Sequence, residues 1–231
     1  MVENKLSQAL EQARAKVDFT SISHEFLVNL VHSALSFDDP SLKVEDVVRV
    51  LNSDFVGVNA EKVRKITNQK NAFLRVVEMA KNGIEMDEDN LKDLHQILSD
   101  GLKVNGGLYR NVNISVKGSN HTPCSHEKVY DRMEKYINFM LEGPKGCELE
   151  YISYCHLQLA KIHPFLDCNG RLARLVLNYQ LMKRNYMPVI ITAEEREAYL
   201  ATLEAFKVEK EIKPFIDFLA ELELKSLEQV L

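Results

Sequence analysis

The sequence predicts a mainly α-helical protein, and three observations carry that expectation. Apolar residues recur at spacings of three and four through most of the 231 residues. Asn, Gly and Pro fall in the gaps between these periodic stretches, where helices end. Only one short stretch, bounded by glycines, alternates apolar and polar residues as a strand does. With 45% apolar residues, the chain can bury one good core, so a single domain is the starting expectation.

Taken in order, Phe26, Leu27, Leu30, Val31, Ala34 and Leu35 form the inner face of one helix, and Val63, Ile66, Ala72, Phe73, Val76, Val77 and Ala80 that of a longer one. Further helices are expected over residues 89–98, 127–141, 149–162, 171–184, 193–207 and 213–224. Residues 1–80 read as an N-terminal helical region packed on a core, and 81–231 as that core with its C-terminal helices. The alternating stretch runs from Gly106 to Gly118, with Val112, Ile114 and Val116 apolar and Asn113 and Ser115 between them. It predicts a short strand or hairpin leaning on the helices, since a lone two-stranded ribbon is marginal in water. A connector without function is the plain alternative for it.

A net charge of −5 and scattered Lys and Arg residues leave no basic field to hold a nucleic-acid backbone, so no nucleic-acid partner is expected. No apolar run approaches the roughly 20 residues that span a bilayer, and the polar, acid-bearing start is unlike a signal peptide. The expectation is a soluble cytoplasmic protein with no membrane partner. Cys124, Cys147, Cys155 and Cys168 contain no CxxC pair, which suits reduced thiols. His121, Cys124 and His126 gather three metal-ligand types, but with no fourth nearby an ordinary polar loop is the preferred reading over zinc.

The stretch IHPFLDCNGRLAR, residues 162–174, concentrates the chemistry. A helix should stop at His163, because Pro164 cannot continue it and disfavours helical geometry in the residue before. A second helix restarts near Arg171, so Asn169 and Gly170 precede a helix N-terminus, where free N–H groups and the dipole favour an anion. Arg171 and Arg174 at that start oppose the dipole unless something negative binds there, which suggests a polyphosphate. Asp167 in the same loop is the residue type that holds Mg²⁺ beside phosphates. His163 can take a proton near neutral pH. The bland alternative stands beside this: Asp and Asn cap helices, Gly makes turns, and surface arginines serve solubility. Phe165 is expected to anchor the loop in the core under either reading.

The stretch resembles the signature of the Fic family, HPFx(D/E)GNGRxxR, matched by His163, Pro164, Phe165, Asp167, Asn169, Gly170, Arg171 and Arg174. Leu91, Leu94, His95 and Leu98, the run Gly107-Leu-Tyr-Arg110, His156, and Leu175, Asn178 and Leu181 with Pro188 also fit the family's spacing. The resemblance implies a Fic-type helical core with a short β-hairpin flap, and transfer of AMP from ATP to a Ser, Thr or Tyr hydroxyl of a target protein with release of pyrophosphate. It implies His163 as the base and Asp167 as the Mg²⁺ ligand. It places Phe165, Asp167, Cys168, Asn169, Gly170, Arg171 and Arg174 around the nucleotide, with Arg171 at the β phosphate and Arg174 at the γ. The flap, residues 112–116, would pair with the target as an added strand. A homo-oligomer is left open.

Two departures matter. Cys168 replaces the first glycine of the signature, and if that position needs a positive φ its Cβ costs on the order of 1 kcal/mol or more. Cys168 as a nucleophile is a minor alternative, for want of any recognisable oxyanion machinery. Many family members carry an inhibitory helix whose glutamate pairs with the second motif arginine. Asp38 is the candidate for that position, but it is one methylene shorter, and Ala34 and Asp39 replace the hydroxyl and glycine residues. The alternatives to AMP transfer are removal of AMP, transfer of another nucleotide or of phosphocholine, and a catalytically silent binding module.

Overall fold

The computed structural model of the chain describes residues 2–14, 16–102 and 105–229; the outer ends of the two expected segments, residues 1, 230 and 231, lie outside them. The described residues form ten α-helices: α1 (Val2–Arg14), α2 (His24–Ser36), α3 (Val44–Leu51), α4 (Ala60–Asn82), α5 (Glu88–Ser99), α6 (Val129–Glu142), α7 (Glu148–Ile162), α8 (Asn169–Lys183), α9 (Arg196–Glu204) and α10 (Lys213–Glu228). Local chemistry sets several boundaries. Ser23, Asn59 and Asp87 each accept a backbone N–H at the starts of α2, α4 and α5, satisfying donors a helix start leaves free. Gly83, at φ 65°, closes α4 in the left-handed conformation glycine adopts without penalty.

α8 is the centre of the molecule. Leu172, Leu175, Val176, Leu177, Asn178 and Leu181 point around its whole circumference and are buried, so neighbours must surround it. α7 and α4 provide most of that cover, with α5 on a further side. α2 and α3 lie on α4, and α1 lies on α10. The loop between α7 and α8 is thereby fixed at both ends by buried helices, which is what a precise site requires.

Three expectations need adjustment. α1 was hidden because its polar face dominates its composition, yet Leu6, Leu10 and Ala13 are buried. The last part of the expected helix 193–207 is instead a π turn, Ala205–Glu209, following α9. The hairpin expected between Gly106 and Gly118 is absent: no strand occurs among the described residues. Its alternation survives only in part as burial: Ile114 and Val116 are half-buried and Asn113 and Ser115 exposed, but Val112 is exposed as well. The physical reason is pairing: backbone groups of residues 113–115 take no backbone partner among the described residues, so the ladder has no second member. No described helix is long and apolar enough to cross a membrane.

Candidate active site

The site is built on the six residues joining α7 to α8. His163 ends α7 at φ 53°, its N–H bonded to the Leu159 carbonyl at 3.0 Å. Its side chain is half-buried, and Nδ1 lies 3.3 Å from the Ala160 carbonyl. Only an N–H can face that oxygen, so Nδ1 carries the proton and Nε2 keeps its lone pair. Burial pushes the imidazole down to about 4, and Lys207 and Arg110 push in the same direction, against Asp167. The ring is therefore neutral at pH 7.

Beyond His163 the loop is braced by its own side chains. Asn169 turns back on Phe165, accepting its N–H at 2.9 Å and donating to its carbonyl at 2.9 Å. Phe165 is wholly buried and stacks on His95, ring centroids 3.7 Å apart. It anchors the loop and presents no face to a ligand. His95 closes the loop from the other side: Nδ1 accepts from Gly107 N–H at 3.0 Å and Nε2 donates to the Asp167 carbonyl at 3.2 Å. Burial lowers His95 to about 4, which matches the neutral tautomer those two bonds demand.

Asp167 is exposed. Its Oδ1 accepts the Cys168 N–H at 2.6 Å, which leaves Oδ2 without a bond among the described residues. One carboxylate oxygen held and one unclaimed, on an exposed residue, is a fit arrangement for a divalent cation. Cys168 has φ 62°, so the position does require the left-handed conformation the missing glycine would supply. Its thiol is buried, and burial raises it to about 11 in spite of Arg171, so it is no nucleophile at neutral pH. The sulfur instead accepts from Arg171 Nη2 at 3.0 Å.

The two arginines are covered by the end of α2. Arg171 is buried, with Nε 3.4 Å from Asp38 Oδ2, while Nε and Nη1 have no hydrogen-bond partner. Arg174 Nη2 donates to the Ala34 carbonyl at 3.1 Å, its guanidinium carbon lies 4.3 Å from the Phe37 ring centroid, and its Nε is likewise buried and unpartnered. The structure thus places Asp38 beside the first motif arginine rather than the second, and gives the second to Phe37 and a backbone oxygen. Orphaned guanidinium donors at a helix N-terminus are what a polyphosphate would satisfy. Gly170 leaves its side of the nest bare: a Cβ there would lie 3.5 Å from Arg174 Nη1.

Two braces were not assigned from sequence. Arg110 is buried, and its guanidinium donates to the carbonyls of His163 (2.9 Å), Val112 (3.1 Å), Cys124 and Ile162 (3.5 Å). Its N–H also reaches the Pro164 carbonyl at 2.9 Å. His156 is a core histidine, with Nδ1 donating to Ala173 O and Nε2 accepting from Tyr199 OH, each at 3.0 Å. For His156 the available signal was a lone histidine in a largely apolar helix, which needs partners when buried; nothing local marks Arg110, which stands between Tyr109 and Asn111. Asn113 Oδ1 accepts the His126 N–H at 2.9 Å, tying residues 112–116 to the start of the three-residue turn before α6. Val112 is exposed.

With this geometry in place, comparisons with known proteins agree on one family. Residues 85–181 match the model of the Fic/DOC family. The protein adenylyltransferase Fic of Drosophila persimilis is 25% identical over 237 residues, 96% of this chain and 42% of its own length. The chain therefore spans less than half the length of that curated relative. A Fic domain containing signaling protein from Bacteroides thetaiotaomicron superposes with a TM-score of 0.82 at 18% identity, covering 97% of this chain and 94% of the other. The BepC protein of Bartonella tribocorum, solved with bound AMPPNP, superposes with a TM-score of 0.50 at 13% identity, covering 67% and 85%.

Proposed function

Residues 85–181 being a Fic/DOC family domain, we propose that the site transfers AMP from ATP to a Ser, Thr or Tyr hydroxyl of a target protein. The observation that carries this is the neutral His163, its Nε2 lone pair free, next to a helix start with unsatisfied guanidinium donors. The nucleotide-bound relative supports ATP as the donor.

In this reading the target hydroxyl oxygen forms a bond to the α phosphorus, the bridging α–β P–O bond breaks, pyrophosphate leaves, and the hydroxyl proton passes to His163 Nε2. The N–H groups opening α8 at Asn169 and Gly170 receive the phosphates, and Arg171 and Arg174 neutralise the charge that gathers on them. Asn169 contributes by its main chain, since its side chain holds Phe165. Asp167, through Oδ2, would hold Mg²⁺, which when bound supplies charge neutralisation on the phosphates. A ring lowered to about 4 is a weak base at pH 7. Phosphate negative charge nearby favours imidazolium, so nucleotide binding itself raises His163 toward its working range.

Residues Val112, Asn113, Ile114, Ser115 and Val116 are proposed to receive the target's main chain, supported by the unclaimed backbone groups of residues 113–115. Residues 1–80 then serve as a helical cover on the core 81–231, with the reaction in the cytoplasm. A second reading, a binding module without transfer, has one observation in its favour: Arg171 is engaged by Cys168 and Asp38, and Arg174 by Phe37. Incubation with labelled ATP, Mg²⁺ and cell lysate decides between them. Transfer gives label on protein with wild type and none with His163→Ala. The silent module gives no label with either, nor with Cys168→Gly.

A further inference from the structure

Five basic side chains from four parts of the fold lie close enough to act on one another: His121 from the loop after residues 112–116, Arg132 from α6, Lys161 from the last turn of α7, and Lys207 and Lys210 from the π turn and its end; of these, Lys207 also acts on His163. Lys161 stands two residues before His163. Lys210 Nζ lies 3.4 Å from the Lys207 carbonyl, and Lys161 Nζ lies 5.1 Å from the Phe206 ring centroid.

Neutralisation is short here. Lys207 is buried, yet its nearest carboxylate, Glu204, is 4.0 Å away. Glu204 is already engaged, accepting from Ser119 Oγ and from Asn120 N–H at 2.9 Å. Among the described residues, Lys161, Lys210 and Arg132 make no ion pair, and His121 Nε2 is buried without a hydrogen-bond partner. Lys161 is pushed down to about 8 by burial first and then by the neighbouring cations. A chain with net charge −5 has carboxylates to spare, so leaving this cluster uncompensated at a cost in self-repulsion points to an external anion.

Position selects which anion. Glu204 fastens the far end of the segment that begins at Val112; Lys207 lies 4.0 Å from that carboxylate and also acts on His163, and Lys161 is separated from His163 by one helical residue. A polypeptide lying along residues 112–116 with its hydroxyl at His163 would pass a neighbouring side chain over this cluster. We propose that Lys161, Lys207 and Lys210, with Arg132 and His121, form a docking site for an acidic segment of the target protein flanking the modified hydroxyl. This selectivity rests on the proposed transfer reading, but the binding it predicts needs no ATP.

The test uses two fluorescent probes, a short serine peptide flanked by three glutamates and its glutamine counterpart, titrated with the full chain in fluorescence polarisation at low and physiological salt. The proposal expects the glutamate peptide to bind at least about fivefold tighter, with the preference shrinking as salt rises. Lys161→Ala with Lys210→Ala, both at accessible positions, should remove most of that preference while circular dichroism and thermal midpoint stay unchanged. Equal binding of the two peptides, or full preference in the double variant, overturns it. Displacement of the glutamate peptide by inorganic pyrophosphate at equal charge would overturn it too, assigning the cluster to a small anion. If the peptides discriminate but no His163-dependent labelling occurs, the transfer reading fails alone; if labelling occurs without discrimination, this inference fails alone.

Discussion

The left-handed conformation of Cys168 makes a measurable demand on the loop. At φ 62° a residue with a Cβ carries about 1–2 kcal/mol that glycine does not. Two Ala→Gly steps in the same neighbourhood isolate that quantity. Ala173 is buried in the interior of α8, so replacing it with glycine loses about 0.8 kcal/mol of methyl burial and about 1 kcal/mol of helix propensity, roughly 2 kcal/mol in all. At position 168 the same step, from Cys168→Ala to Cys168→Gly, also loses a buried methyl and adds unfolded-chain freedom, but relieves the backbone. The terms nearly cancel there, to within about 0.5 kcal/mol. Urea unfolding of wild type, A173G, C168A and C168G measures all of these, and in a thermal scan about 2 kcal/mol corresponds to roughly 4–8 °C. If the glycine step costs as much at position 168 as at 173, the backbone there is not strained and the argument is wrong. The same variants report on function: removing the thiol frees Arg171 Nη2, so C168G should bind ATP several-fold tighter by calorimetry, a gain of about 0.5–1.5 kcal/mol for one released hydrogen bond.

Other outcomes follow from the same contacts. Phe37→Ala should raise ATP affinity more than Asp38→Ala in the same calorimetry. The first removes a cation–π contact worth about 0.5–2 kcal/mol, the second an ion pair whose acid is 65% exposed and worth about 0–1 kcal/mol. Arg110→Met should lower stability by more than about 3 kcal/mol in urea, since four buried or half-buried carbonyls lose their donor. Burial holds His95, His156 and His163 at about 4 in the fold against 6.5 unfolded. With folded values depressed, the penalty is absent above pH 6.5 and grows as pH falls toward 4; at about pH 5 it amounts to roughly 2 kcal/mol for each histidine, so unfolding midpoints at about pH 7 and 5 should differ widely. Addition of ATP should move the NMR titration midpoint of His163 upward, and an unchanged midpoint would contradict its proximity to the phosphates.

The helices that hold the site were legible because their apolar period is strong: α4, α5, α7 and α8 lie within a few residues of where Val63 to Ala80, Leu91 to Leu98, Leu149 to Ile162 and Leu172 to Tyr179 put them. The order of residues from His163 to Arg174 was equally plain, since a Pro after one helix and an Asn-Gly before the next define the turn. Side-chain direction was not. Nothing in the pattern says that Asn169 turns back on Phe165, or that Cys168 sulfur meets Arg171, because those choices depend on packing across the loop. Arg110, Phe37 and Lys207 stand 53, 126 and 44 residues from His163 in sequence, and spacing carries no information at that separation. The strand pattern at 112–116 was misleading in an instructive way: period two tracks cover at Ile114 and Val116 but not at Val112, and a ladder also needs a partner backbone.

One guanidinium joins the two halves of the proposed chemistry. Arg110 grips the carbonyl of the histidine itself and the carbonyl at the root of the 112–116 segment at once. The proposed proton acceptor and the proposed substrate seat would consequently share one mount, so a polypeptide arriving out of register would drag against the very support that aims the base, and a misaligned hydroxyl would meet a tilted ring.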